Sequence, residues 1–212
     1  DRLTGGRFLL GVGSGESLNL EPVGLDNARP LARLTEGLAV IRALFDTPEP
    51  IDFDGEFTTL REMTLGLRPY GAAAPPVCVA AHRPKGLALA GRTADGWLPL
   101  TTEPAAYTAM LGQVRAASRA AGRPENAVTP GVYARVVLTE NRDAAEAIID
   151  ASLLMRFIAL TRPAEAYANR GAEHPLGRGA FGLTSFLPTR YDRAQALRLA
   201  EQVPRDVVRD TV

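Results

Sequence analysis

Residues 8–16 read "FLLGVGSGE": an apolar run, three glycines spaced by two, then a carboxylate. The run over residues 7–12 has the continuous hydrophobicity of a strand covered on both faces. Gly11, Gly13 and Gly15 close it, and Glu16 stands just past the last of them. In a parallel α/β arrangement, chemistry gathers at the C-terminal ends of strands, which is where this reading puts Glu16. Glycines there let bare main chain approach a ligand, and a carboxylate with a raised pKa can serve as a general acid or base. A strand-end turn followed by an exposed Glu at a helix start is the plain structural alternative. "GVGSGE" also imitates a dinucleotide fingerprint in part, but Glu16 stands where its third glycine would be.

Outward from this stretch, residues 16–30 read as a polar loop. Leu31, Leu34, Leu38, Ile41 and Leu44 line one face of a helix with Pro30 in its first turn. Asp54-Gly55 predicts a hairpin of residues 51–53 against 57–60. "PPVCVAA" (75–81) is a second continuous strand, followed by a helix over 84–92 and a third strand over 94–100. Thr102 and Pro104 open a helix that Gly122 ends, 131–138 ("GVYARVVL") is a fourth strand, and an amphipathic helix is predicted from about 142 to 160. Residues 161–190, rich in Gly and Pro around "HPLGRGAFG", read as a long lid-like insertion, and a last helix covers 193–203. Four strand–helix units in alternation indicate an α/β fold with a parallel sheet, either half of a (β/α)8 barrel or an open doubly wound sheet.

Composition narrows the function. Of 212 residues 46% are hydrophobic, enough for a core, and 24 acidic residues balance 24 basic ones, which gives no support for nucleic acid as the main partner. Lys85 is the lone lysine. One cysteine, Cys78, excludes a disulfide framework and fits a cytoplasmic setting. Two histidines and one cysteine form no metal-ligand cluster, and no apolar run is long enough to span a membrane. Asp52 and Asp54 are explained by the hairpin, Asp95 by a turn before Gly96, and Cys78 as a small core residue. Trp97 reads as packing or as a ring contact, and His174 as a substrate contact or a loop-structuring residue beside Pro175. "AAHRP" (80–84) ends the second strand, where Arg83 and the next helix's first turn could meet an anion or simply form a solvated turn.

"GGRFLLGVGSGESLN", "ALFDTPEPIDFDGEFTTL" and "PPVCVAAHRPKGLALAGRTADGW" together resemble the luciferase-like monooxygenase superfamily. The nearer resemblance is to its branch that uses the deazaflavin coenzyme F420, which holds the F420-dependent glucose-6-phosphate dehydrogenases, methylenetetrahydromethanopterin reductases and phthiodiolone ketoreductases. "EHPLGRGAFGLTSFLPTRY" is most similar to the ketoreductases.

The resemblance implies a TIM (β/α)8 barrel of which this chain, read as a single domain over 1–212, holds strands four to seven, with further strands before Asp1 and after Val212. It implies hydride transfer between reduced F420 and a carbonyl or C=N carbon of a small molecule. Glu16 would handle the proton, Gly13, Ser14 and Gly15 would line the coenzyme, and Asn19 would add a polar contact. The family's Ala-Ala-Gly-Gly-Pro, which holds the coenzyme's phosphate tail, is matched by Ala80, Ala81, His82, Arg83 and Pro84, with His and Arg replacing the glycines. An FMN-dependent monooxygenase is the alternative coenzyme reading, and an inactive or binding-only fragment is the non-catalytic one. A homodimer is implied for a full-length protein.

Overall fold

The computed structural model describes residues 1–71, 73–100, 103–180, 182 and 185–210. Thr102, expected to open a helix, lies outside them. The chain forms two compact units, Asp1–Ser14 with Arg29–Tyr133, and Gly15–Ala28 with Ala134–Val212.

The first unit is built on a four-stranded parallel sheet in the order β1 (Leu10–Val12), β4 (Val77–Val79), β5 (Gly96–Trp97) and β6 (Thr129–Pro130). Val77 and Val79 are wholly buried at its centre. Parallel neighbours require crossovers, supplied here by α2 (Pro30–Asp46), α3 (Pro84–Thr93) and α4 (Pro104–Ala120). Each begins with proline at its first turn, where the missing N–H costs nothing. Leu38, Leu87, Leu89, Trp97 and Val114 complete this core.

Strands are shorter than the apolar runs. β4 loses its first expected residues because Pro75 and Pro76 cannot donate to the ladder. The run 131–138 is not a strand: β6 is residues 129–130, one further bridge joins Leu100 to Tyr133, and Val136 and Leu138 stand exposed. The hairpin is β2 (Ile51–Asp54) against β3 (Thr59–Met63), its loop of residues 55–58 one residue longer than the expected pairing of 51–53 with 57–60 implied. Its loop amides on Glu56 and Phe57 donate to the Glu36 carboxylate of α2 at 2.7 and 3.0 Å. Asp52 accepts from the Glu62 amide and Asp54 pairs with Arg61, so both serve the hairpin.

Asp95 does more than form a turn. Its carboxylate accepts from the Val77 amide at 2.8 Å and from Arg42 at 2.6 Å, tying the start of β4 to α2. Cys78 is free and packs its sulfur where a Cβ on Gly96 would stand. Helices α3 and α4 meet at Gly91, where an added Cβ would lie 2.3 Å from the Val114 carbonyl oxygen. Arg123 donates to the Gly91 and Ala94 carbonyls, both at 2.7 Å, and so caps the end of α3.

The second unit contains α1 (Ser17–Leu20), α5 (Arg142–Ala151), α6 (Leu153–Ala159), α7 (Ala164–Ala168), α8 (Arg193–Glu201) and α9 (Arg205–Arg209). The single helix expected over 142–160 is two, because the Ser152 hydroxyl accepts from the Met155 amide and starts a new helix at φ −79°, ψ 109°. The expected loop over 16–30 contains α1, and the last helix opens with a capping box between Asp192 and Gln195. Residues 161–190 contain α7 and contribute Tyr167, His174, Phe186 and Leu187 to the buried interior.

His174 is 3% exposed and both ring nitrogens are engaged. Nδ1 accepts from the Leu176 amide at 3.0 Å, so Nε2 carries the proton and donates to the Leu160 carbonyl at 3.2 Å, with the Tyr167 ring against it. That is the loop-structuring role, and it leaves no ring nitrogen for a substrate.

Two predictions follow from this packing. Gly91→Ala should cost about 1–3 kcal/mol in urea unfolding by overpacking backbone, whereas Gly112→Ala, in α4 with open space around it, should gain up to about 1 kcal/mol. Burial holds His174 below its ordinary 6.5, so below that pH the unfolded chain takes up a proton that the fold refuses. Stability should therefore fall as pH drops from about 7 to 5, and His174→Gln should flatten that fall in the same unfolding measurement.

Candidate active site

The C-terminal edge of the parallel sheet gathers the sequence-predicted residues of the first unit. The Ala80 amide donates to the Val12 carbonyl at 2.9 Å, the last rung between β4 and β1. Immediately beyond it, Gly13 faces Ala80: an added Cβ would lie 3.7 Å from the alanine's, an ordinary contact. Protein packing therefore does not require glycine at 13, and Gly13 and Ser14 are exposed.

Ala81 is buried, and its carbonyl accepts the indole N–H of Trp97 at 2.8 Å, which gives Trp97 a packing role. The His82 ring accepts the Leu100 amide at 2.7 Å. Arg83 is the extended residue at which the ten-residue helix α3 starts, and its carbonyl accepts from Leu87. Gly86 lets this first turn close onto the strand end, since a Cβ there would stand 3.1 Å from that of Ala81. The edge thus presents exposed main chain at Gly13 and Ser14 beside the positive end of a helix. An open cleft of about 320 Å³ lies elsewhere, lined by Phe8, Phe45, Leu67, Arg68 and Pro75 near the other ends of β1 and β4, and includes none of these residues.

Gly15, Glu16 and Asn19 belong to the second unit. Gly15 has φ +76°, a left-handed backbone that glycine adopts without strain. That turn delivers Glu16 in an extended conformation at the head of α1, where its carbonyl accepts from the Asn19 and Leu20 amides. Its side chain is half-buried, and no hydrogen bond or ion pair among the described residues engages it. Burial pushes its carboxyl above the usual 4.5. Asn19 is exposed. Asn27 donates to the Ser17 hydroxyl at 3.3 Å, bracing the residue after Glu16. Sequence patterns carry no signal for that contact, since it joins residues ten apart across an irregular loop. Among the described residues no group of acidic, His or Cys side chains could hold a metal, and no helix is long and apolar enough to cross a membrane.

The phthiodiolone/phenolphthiodiolone dimycocerosates ketoreductase of Mycobacterium tuberculosis (strain ATCC 25618 / H37Rv) is 36% identical over 212 residues, covering 99% of this chain and 55% of the relative. The 5,10-methylenetetrahydromethanopterin reductase of Archaeoglobus fulgidus is 28% identical over 171 residues, 81% of this chain and 50% of the relative. The chain thus spans about half the length of the curated relatives it matches. Among solved structures, an F420-dependent secondary alcohol dehydrogenase in complex with an F420-acetone adduct superposes with TM-score 0.72 at 20% identity, over 97% of this chain and 55% of its own. The α/β fold with a parallel sheet is that of these barrel enzymes. The luciferase-like monooxygenase family matches residues 1–212 throughout, and the chain belongs to that family.

Proposed function

We propose that the protein is an F420-dependent oxidoreductase whose Glu16 handles the proton that accompanies hydride transfer to or from a carbonyl or C=N carbon of a small molecule. The observation that carries this reading is Glu16 itself. A half-buried carboxylate with a raised pKa and no side-chain partner among the described residues is costly to keep, and such groups cluster at catalytic sites. The relatives support it, since those named above are a ketoreductase and a methylenetetrahydromethanopterin reductase.

The deazaflavin, when bound, supplies or receives the hydride. In this reading Gly13, Ser14 and Gly15 offer main chain to its flat ring, and Asn19 adds a polar contact. Ala80 and Ala81, with Arg83 and the first turn of α3, meet the phosphate of its tail. Glu16 donates its proton when a carbonyl is reduced and recovers it in the reverse direction. The raised pKa keeps more of the carboxyl protonated near neutrality than an exposed glutamate would be. The chain is read as part of one (β/α)8 barrel in a longer protein, residues 161–190 as a lid-like insertion, and the substrate as a small molecule.

Glu16→Gln in the full-length protein should leave F420 affinity within about twofold in an equilibrium titration and slow turnover by about 10²–10⁴. The same change should raise the unfolding midpoint at neutral pH, because an amide is buried with less loss than a carboxylate, and that gain should vanish below the carboxyl's pKa. Unchanged turnover removes Glu16 from the mechanism, and a protein that binds FMN and ignores F420 overturns the coenzyme assignment.

A further inference from the structure

The end of β5 is held in an unusual way. Its ladder to β4 runs through the Asp95 amide to the Val77 carbonyl at 2.8 Å and the Leu98 amide to the Val79 carbonyl at 3.0 Å. Two residues on, the next rung would run from the Leu100 amide to the Ala81 carbonyl. That carbonyl instead accepts the Trp97 indole at 2.8 Å, and the Leu100 amide donates to Nε2 of His82 at 2.7 Å. The core tryptophan takes the main-chain acceptor, and a side chain from the next residue replaces it. Leu100 in turn bridges to Tyr133, whose amide donates to the Pro99 carbonyl at 2.8 Å.

From this geometry we infer that His82 is a positioning residue. Its neutral imidazole stands in for the missing ladder acceptor and locks the turn 80–84 to the end of β5, so that the anion-binding shape of that turn depends on an unprotonated ring. A glycine at this position has no side-chain acceptor to offer. The inference rests on the coenzyme reading above for what the turn binds, while the tether itself is independent of it.

A proton on Nε2 would turn the acceptor into a second donor facing an N–H, so the tether and a charged ring exclude each other. Partial desolvation of the ring moves His82 below its ordinary 6.5 in the same direction, although the residue as a whole stands exposed at the sheet edge. The charged groups on the elements around it are Arg83 and Lys85 at the start of α3 and Glu103 ahead of α4, while residues 98–100 bring none.

Two variants and two readouts test this. Glutamine keeps an acceptor that does not titrate, and alanine removes it. F420 titrations of the full-length protein should show wild-type affinity falling about tenfold between about pH 7 and 5. His82→Gln should bind within about twofold of wild type at pH 7 with a flat profile, and His82→Ala about tenfold more weakly at both ends. Without coenzyme, exchange of the Leu100 amide, corrected for its intrinsic pH dependence, should quicken about tenfold in wild type on acidification and in His82→Ala at neutral pH, and stay slow in His82→Gln. A Leu100 amide equally protected in His82→Ala overturns the tether, as does a wild-type binding profile that is flat while His82→Ala binds normally. A protein that ignores F420 at every pH overturns the functional reading, and the tether is then judged on Leu100 exchange alone.

Discussion

Parallel pairing is the constraint on which the first unit depends. When Leu10–Val12, Val77–Val79, Gly96–Trp97 and Thr129–Pro130 run the same way, each needs a crossover, and the chain leaves every strand at one edge. Gly13, Ala80 and Leu100 therefore share an edge although they lie far apart in sequence. The short rungs there decide what that edge can bind. Where the ladder is regular, main chain is consumed by the sheet; where it stops, at Gly13 and after Ala80, amides and carbonyls become available to something else.

Much of this was legible in the residues. The apolar run at 75–81 announced the buried parallel strand β4; the run at 7–12 located β1 but overstated its cover, since only Leu10–Val12 pair and Phe8, Leu9 and Gly11 stand exposed at one margin of the sheet. Prolines at 30, 84 and 104 stand in the first turns of three helices. Hydrophobicity overstated strand length because it reports burial, while pairing also needs donors: Pro75, Pro76 and the exposed stretch after Tyr133 ended strands that the pattern extended. The helix over 142–160 failed as one element because periodicity cannot see a hydroxyl turning back to cap a new start at Ser152.

The candidate site was legible by type and not by partnership. Gly15 and Glu16 stand out in the sequence because a glycine before a lone carboxylate at a strand end is chemically pointed, and the positive φ of Gly15 accounts for the glycine. The engagements of Asp95 with Val77 and Arg42, of His82 with Leu100 and of His174 with Leu160 and Leu176 depend on three-dimensional neighbours from distant segments. In each case the side chain answers a main-chain group that local structure left unpaired, and composition gives no warning of it.

The Glu36 carboxylate has a consequence for how stability is shared within the molecule. Two-stranded ribbons are marginal by themselves in water, and the loop of this one closes around an acceptor lent by α2. The shape of the ribbon's loop therefore depends on α2, so that the stability of residues 51–63 is coupled to that helix.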